Sequence, residues 1–254
     1  MAKGISVKFK SYEGTIPQLL RVINLQKELK KYESIVLKVR LTESPEQSTS
    51  AEFIESVLSF VLQNKNPVAN VFIAEGSDGQ DTEELFETRG LQNLADKYGV
   101  GLIDLNTTET EPIESYHFQK FQTIYYPLIL SKSFVITLTN LTENPETGLG
   151  GSISSMLGAF PAKHYQGFFS SNKNKIRKFP IKYSIHDIIR CKMPDFAIVD
   201  ASEFGHILAG IPLEIDKQSC RFIKREWKEV PYIKLINEVL EEKRKSDEIE
   251  HILQ

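Results

Sequence analysis

The chain has 254 residues, 41% of them hydrophobic and 26% charged, with a net charge of -3 at pH 7. That length suits one large domain or two small ones, and ordinary globular usage excludes a fibrous or disordered chain. The mildly acidic balance, with a pI near 6.0, excludes the overall positive field of a general nucleic-acid binder.

ISVKFKS opens the chain as a strand. TIPQLLRVINLQKELKKY follows as an amphipathic helix, with Leu19, Leu20, Ile23 and Leu29 on one face, Thr15 as N-cap and Pro17 in the first turn. SIVLKVRL is a nearly continuous apolar strand, and SAEFIESVLSFVLQNKN is a helix whose Phe53, Ile54, Val57, Leu58 and Val61 share a face. VANVFIAEG reads as the next strand and runs into the acidic, glycine-bearing GSDGQD; TEELFETRGLQNLADKYG holds one or two short helices, and VGLIDL is a further strand. After Leu105 the pattern loosens. TIYYPLILSKSFVITLTNL reads as a bridging segment and a strand, and a glycine-rich, irregular stretch follows it. SIHDIIRCKM reads as a helix, PDFAIVDAS as a buried strand, and LEIDKQSCRFIKREW as a helix with Ile215, Cys220 and Ile223 inward. The alternation predicts a layered α/β fold with a mainly parallel or mixed sheet and helices on both faces. One domain over residues 1–240 and a charged, solvated helix over 241–254 are expected.

Several function classes are excluded. Cys191 and Cys220 lie far apart with no CxxC, so no iron-sulfur or all-cysteine zinc site is expected, and a reducing cytoplasm is the expected compartment. The N-terminal stretch lacks a signal-peptide core, and PLIL and FVIT are too short to span a bilayer. No serine sits in a G-x-S-x-G elbow, and no G-x-G-x-x-G follows the first strand. Lys173, Lys175, Arg177, Lys178 and Lys182 form a local basic run, which reads mainly as a solvated loop; nucleic acid is not an expected partner.

In an open parallel sheet, ligands gather beyond the carboxyl ends of the strands. Arg40, Glu75, Gly76, Ser77, Asp78, Asp104, Asn106 and Asp200 therefore stand out, with Ser202 and Glu203 after Asp200. Glu75, Asp78 and Asp81 offer hard oxygens suited to magnesium or calcium. The same turn also fits a plain helix cap at Asp81 or Thr82. In GLGGSISSMLGA, Gly148, Gly150 and Gly151 suit a backbone nest for phosphate or carboxylate, with hydroxyls from Ser152, Ser154 and Ser155; a flexible linker or tight turn is the more ordinary reading of the pattern. Lys163 and His164 are candidates for acid, base or anion contact. His186 and Asp187 adjoin in sequence and are expected to point apart. His206 falls in an expected loop, and His251 lies in the tail.

SIVLKVRL, FIAEGSDGQDTEELFETRGLQNLADKYGVGLIDLN, SIHDIIRCKMPDFAIVDA and ILAGIPLEIDKQS occur in one order. In that order they resemble the domain of unknown function 362 family over about residues 33–236. Against that family's pattern, Lys38 is kept while Arg40 replaces an asparagine, TLTNLTENPETG replaces a Lys-Thr-His element, and the ferredoxin-like cysteine segment of some members is absent. Two readings follow. One is a cleft for a small anionic ligand, alone or with a divalent metal at Glu75 and Asp78. Lys38, Arg40, Ser77, Gly150, Gly151, Ser152, Lys163, His186 and Asp200 are its candidate contacts, and Lys38 or His164 its proton carriers if it is catalytic. The other is a catalytically degenerate member acting as a binding or scaffolding protein. The first expects Lys38, Glu75, His164 and Asp200 to converge.

Overall fold

Uninterrupted apolar runs become the inner strands, and the amphipathic segments between them become the covering helices. The computed structural model describes residues 4–253, with side chains as far as Lys243. The first part contains β1 (Gly4–Lys8), α1 (Tyr12–Val22), α2 (Leu25–Leu29), β2 (Ser34–Lys38), α3 (Ala51–Asn64), β3 (Asn70–Glu75), α4 (Thr82–Thr88), α5 (Leu91–Tyr98) and β4 (Gly101–Asp104). The second part contains β5 (Thr110–Glu114), β6 (Thr123–Pro127), α6 (Leu128–Lys132), β7 (Phe134–Asn140), α7 (Ala162–Tyr165), α8 (Ile181–Cys191), β8 (Phe196–Ala201), β9 (His206–Gly210), α9 (Pro212–Cys220) and α10 (Pro231–Leu253).

A seven-stranded sheet runs in the order β1-β9-β8-β7-β2-β3-β4. Strands β8, β7, β2, β3 and β4 are parallel, while β9 runs antiparallel to β8 and β1 antiparallel to β9. Strands β5 and β6 pair separately. Successive strand residues point to opposite faces. Ile35, Leu37, Ile73 and Ile136 accordingly join the core under α1 to α5, whereas Val36, Ala74 and Val135 join the core under α6 to α10. The fold is the layered α/β architecture with a mixed sheet that the alternation predicts.

The chain moves outward from β2 through β3 to β4, then returns to place β7 and β8 on the other side of β2. The order therefore reverses between β2 and β7, and the loops after these strands diverge to leave a crevice. A cleft lined by residues that follow β2, β3 and β7 lies at this reversal.

Some boundaries differ from the sequence reading. Ser11, not Thr15, caps the first helix by accepting from the Gly14 N–H. Asn24 adopts a left-handed φ of 62° and breaks the expected single helix into α1 and α2. His206, expected in a loop, begins strand β9, and Ile223 lies past the end of α9. α10 runs without a break through the tail; the side chain of His251 lies outside the described residues. Among the described residues, no helix is long and apolar enough to cross a membrane.

Candidate functional site

The floor of the crevice is an ion pair. Lys38, the last residue of β2, places Nζ 3.0 Å from Oε1 and 3.1 Å from Oε2 of Glu75, the last residue of the neighbouring β3. Both side chains are almost wholly buried. The remaining Lys38 protons reach the carbonyls of Val39 and Ser155, and Glu75 accepts the backbone N–H groups of Gly76 and Leu41. Burial pushes the Lys38 pKa down, and Glu75 opposes that shift. The helical turn Ser154–Ala159 lies directly on this pair. A Cβ at Gly158 would sit 2.2 Å from Glu75 Oε1 and 2.8 Å from Lys38 Nζ, so only glycine allows the approach.

Above the floor, the cleft encloses about 360 Å³ between Arg40, Ser77, Asp78, Thr147, Ser155 and Arg177, among others. Asp78 accepts the Lys173 backbone N–H at 2.6 Å and pairs with Arg177, which also holds Glu146 at 2.8 Å. Arg177 therefore ties the loop after β3 to the loop after β7 across the opening. Arg40 differs from these groups. Its guanidinium makes one side-chain hydrogen bond, to Thr142 Oγ1 at 3.3 Å, and no carboxylate pairs with it among the described residues. A Cβ at Gly150 would lie 2.3 Å from Arg40 Nη1, so that glycine provides the room the guanidinium occupies.

A second buried cation lies beneath the cleft. Lys173 is fully buried, and its Nζ reaches only two carbonyls, Gly76 at 2.7 Å and Gly158 at 3.3 Å. Burial pushes its pKa down to about 8, against the pull of Glu75 and Asp78. The inner layer thus gathers Lys38, Arg40 and Lys173 around Glu75, with Asp78 as the next carboxylate acting on Lys173. The folded pKa of Lys173 lies below its ordinary 10.5, so the ammonium lowers stability below pH 8, and the deficit closes as pH rises toward 10.5. Lys173→Met is therefore expected to raise the unfolding free energy by about 1–3 kcal/mol at pH 7, the two carbonyls that lose a donor limiting the gain. Urea unfolding at pH 7 and at pH 10 checks this, and a variant less stable than wild type at pH 7 would contradict it.

The matched segments of the chain follow the same scaffold. A family model described as Domain of unknown function (DUF362) matches residues 35–207. The chain belongs to that family. The match runs from β2 into β9 and contains Lys38, Arg40, Glu75, Asp78, Lys173 and Arg177. No curated protein matches this DUF362 chain. Among solved structures, it is similar to the lactate racemase apoprotein from Thermoanaerobacterium thermosaccharolyticum. The TM-score is 0.59 at 15% identity, over 87% of this chain and 57% of that one. The likeness shows a shared fold, and the DUF362 chain spans little more than half of that neighbour's length.

The expected convergence of Lys38, Glu75, His164 and Asp200 does not occur. Lys38 and Glu75 meet, with Arg40, Ser77 and Asp78 beside them. His164, in α7, instead stacks on Tyr125 with ring centroids 4.1 Å apart and lies 3.5 Å from Thr110 Oγ1, while Lys163 reaches the Thr108 carbonyl. Asp200, next to last in β8, accepts from Tyr12 Oη at 2.6 Å and from the Ser202 N–H, lining a separate hollow. Burial and that bond push the Tyr12 hydroxyl up to about 12. His186 and Asp187, expected to point apart, form a 2.7 Å contact; Asp187 also accepts the backbone N–H groups of Gln119, Lys120 and Phe121, so it organises that loop.

The glycine loop forms an anion nest that is already filled from within. Ser152 and Ile153 donate their backbone N–H groups to the Asp216 carboxylate at 2.7 and 3.0 Å, and Tyr232 Oη adds a bond at 2.8 Å. Gly151 packs against that carboxylate, and Gly148 has a φ of 82°. The acidic turn also differs from a metal loop. Glu75 and Asp78 hold protein cations, Asp81 caps α4, and no group of three or more metal-binding side chains converges among the described residues. Sequence reading missed Lys173 and Arg177 as site residues. Both sit in a run of cations, and their contacts to Gly76 and Asp78 reach back nearly a hundred residues in sequence, so no local pattern marks them.

Proposed function

We propose that the cleft binds a small anionic ligand, a carboxylate or phosphate, whose charge is taken by Arg40. One observation carries this reading: a partly buried guanidinium without a carboxylate partner faces a polar cleft at the strand-order reversal. An Arg fork matches two oxygens of such an anion at once. Lys173 beneath the cleft adds a second buried cation whose ammonium hydrogen-bonds only to carbonyls, and desolvation strengthens the attraction of both. The lactate racemase likeness is compatible with a small carboxylate. The ligand belongs among cytoplasmic metabolites.

Lys38 acts in this reading as a structural cation, since its protons are all committed and Glu75 is locked to it. A second reading, a degenerate member serving as a binding or scaffolding protein, is favoured by the separation of His164 and Asp200 from that pair. Both readings give a cleft that binds without transferring a proton through those residues.

A thermal-shift screen against lactate, acetate, inorganic phosphate, magnesium and calcium tests the proposal, because a ligand of the folded state raises Tm. At least one anion is expected to raise it in wild type and not in Arg40→Met, whereas the metals alone are expected to give no shift, Glu75 and Asp78 being occupied. A shift with metal and none with any anion would reverse the reading.

A further inference from the structure

Glu146 and Thr147 line one side of the polar cleft. The same two residues form one wall of an adjoining cavity of about 300 Å³, whose other walls include Pro180, Ile181, Ile185, Pro231 and Tyr232. Three elements build it: the start of α8, the start of α10 and the loop after β7. Prolines open both helices, which turns their first apolar residues toward each other at one corner. Tyr232 lines this second cavity, and its hydroxyl donates to the Asp216 carboxylate under the glycine loop.

The arrangement has a cationic end at Arg40 and a largely apolar end whose lining also includes Lys182, with Glu146 and Thr147 as the shared wall between them. A ligand that filled only the Arg40 end would leave the Ile181 and Pro231 surface in water, whereas hydrocarbon placed there is removed from water favourably. We infer that the ligand is an amphipathic monocarboxylate, with its ionised head against Arg40 and its hydrocarbon portion running over Thr147 into the cavity between α8 and α10. This rests on the anion reading of the cleft and adds the class of ligand. The charged rim of the cleft, where Arg177 holds Asp78 and Glu146, keeps the head at the polar end.

Titration calorimetry of the full chain with acetate, butanoate, hexanoate and octanoate tests it. Each added methylene is expected to tighten binding about threefold to fourfold until the cavity is full. Ile181→Asn is expected to flatten that series while leaving the weak acetate affinity unchanged. Ile181 is only partly buried, and the wild-type series by itself remains decisive if the variant folds poorly. Equal affinity for acetate and octanoate would overturn the inference and leave the anion reading standing. Binding of octanoate that is undiminished in Arg40→Met would overturn it as well, since the chain would then be held without the head. Failure of every carboxylate to bind, with phosphate binding retained, would remove the carboxylate class and keep Arg40 as an anion site.

Discussion

Replacing Glu75 by leucine is expected to lower the unfolding free energy by about 3–5 kcal/mol, because it leaves the Lys38 ammonium buried without a counter-charge. The surroundings offer no relief. Lys38 is fully enclosed and its only other acceptors are the carbonyls of Val39 and Ser155. Lys38→Met is expected to lose a similar amount by stranding the carboxylate. The double variant is expected to recover much of the loss, since two apolar groups then replace both charges, although the Gly76 and Leu41 N–H groups lose their acceptor. A urea double-mutant cycle measures the coupling; strictly additive losses would mean that the pair does not act as a unit.

The second large effect is expected at Asp216. Asp216→Ala removes the acceptor of two backbone N–H groups and of the Tyr232 hydroxyl, all buried. At about 1–3 kcal/mol for each stranded donor, partly offset by relaxation, the loss is expected to reach about 3–5 kcal/mol. The loss depends on pH. Burial pushes the Asp216 carboxyl up to about 6 from an ordinary 3.8. A raised folded pKa contributes stability that is fully present below the unfolded value and is lost as pH rises through the folded one. The deficit of the variant is therefore expected to be largest near pH 4 and to shrink as pH passes 6. Unfolding curves across that range check it, and a deficit that grows with pH would contradict the assignment.

The parts of the molecule held together by near neighbours were open to sequence reasoning. Helix α3 shows its buried face, Phe53 to Val61, in plain periodicity. Strands β2, β3 and β8 appear as unbroken apolar runs. Strand β9 was hidden because its first residue is a half-exposed histidine and its antiparallel partners are β1 and β8, the former two hundred residues earlier. The site shows the same division. Arg40, Glu75 and Asp78 follow from the rule that strand ends carry ligands. Their partners do not: a glycine-serine loop suited to an anion gives no sign that the anion is Asp216, and a lysine-rich stretch gives no sign that Lys173 is enclosed while Lys178 is exposed. His164 and Asp200 had suitable chemistry, but the packing of Tyr125 and Tyr12 directs them elsewhere.

The central claim is that Arg40 and its cleft recognise an anion, and the most direct measurement is a calorimetric titration of wild type and Arg40→Met with the same carboxylate or phosphate at pH 7. Loss of a charge-assisted contact worth about 1.5–3 kcal/mol predicts an affinity lower by about tenfold to a hundredfold in a variant that unfolds at the wild-type temperature or above. Equal affinities in the two proteins would contradict the account and place the anion elsewhere on the molecule.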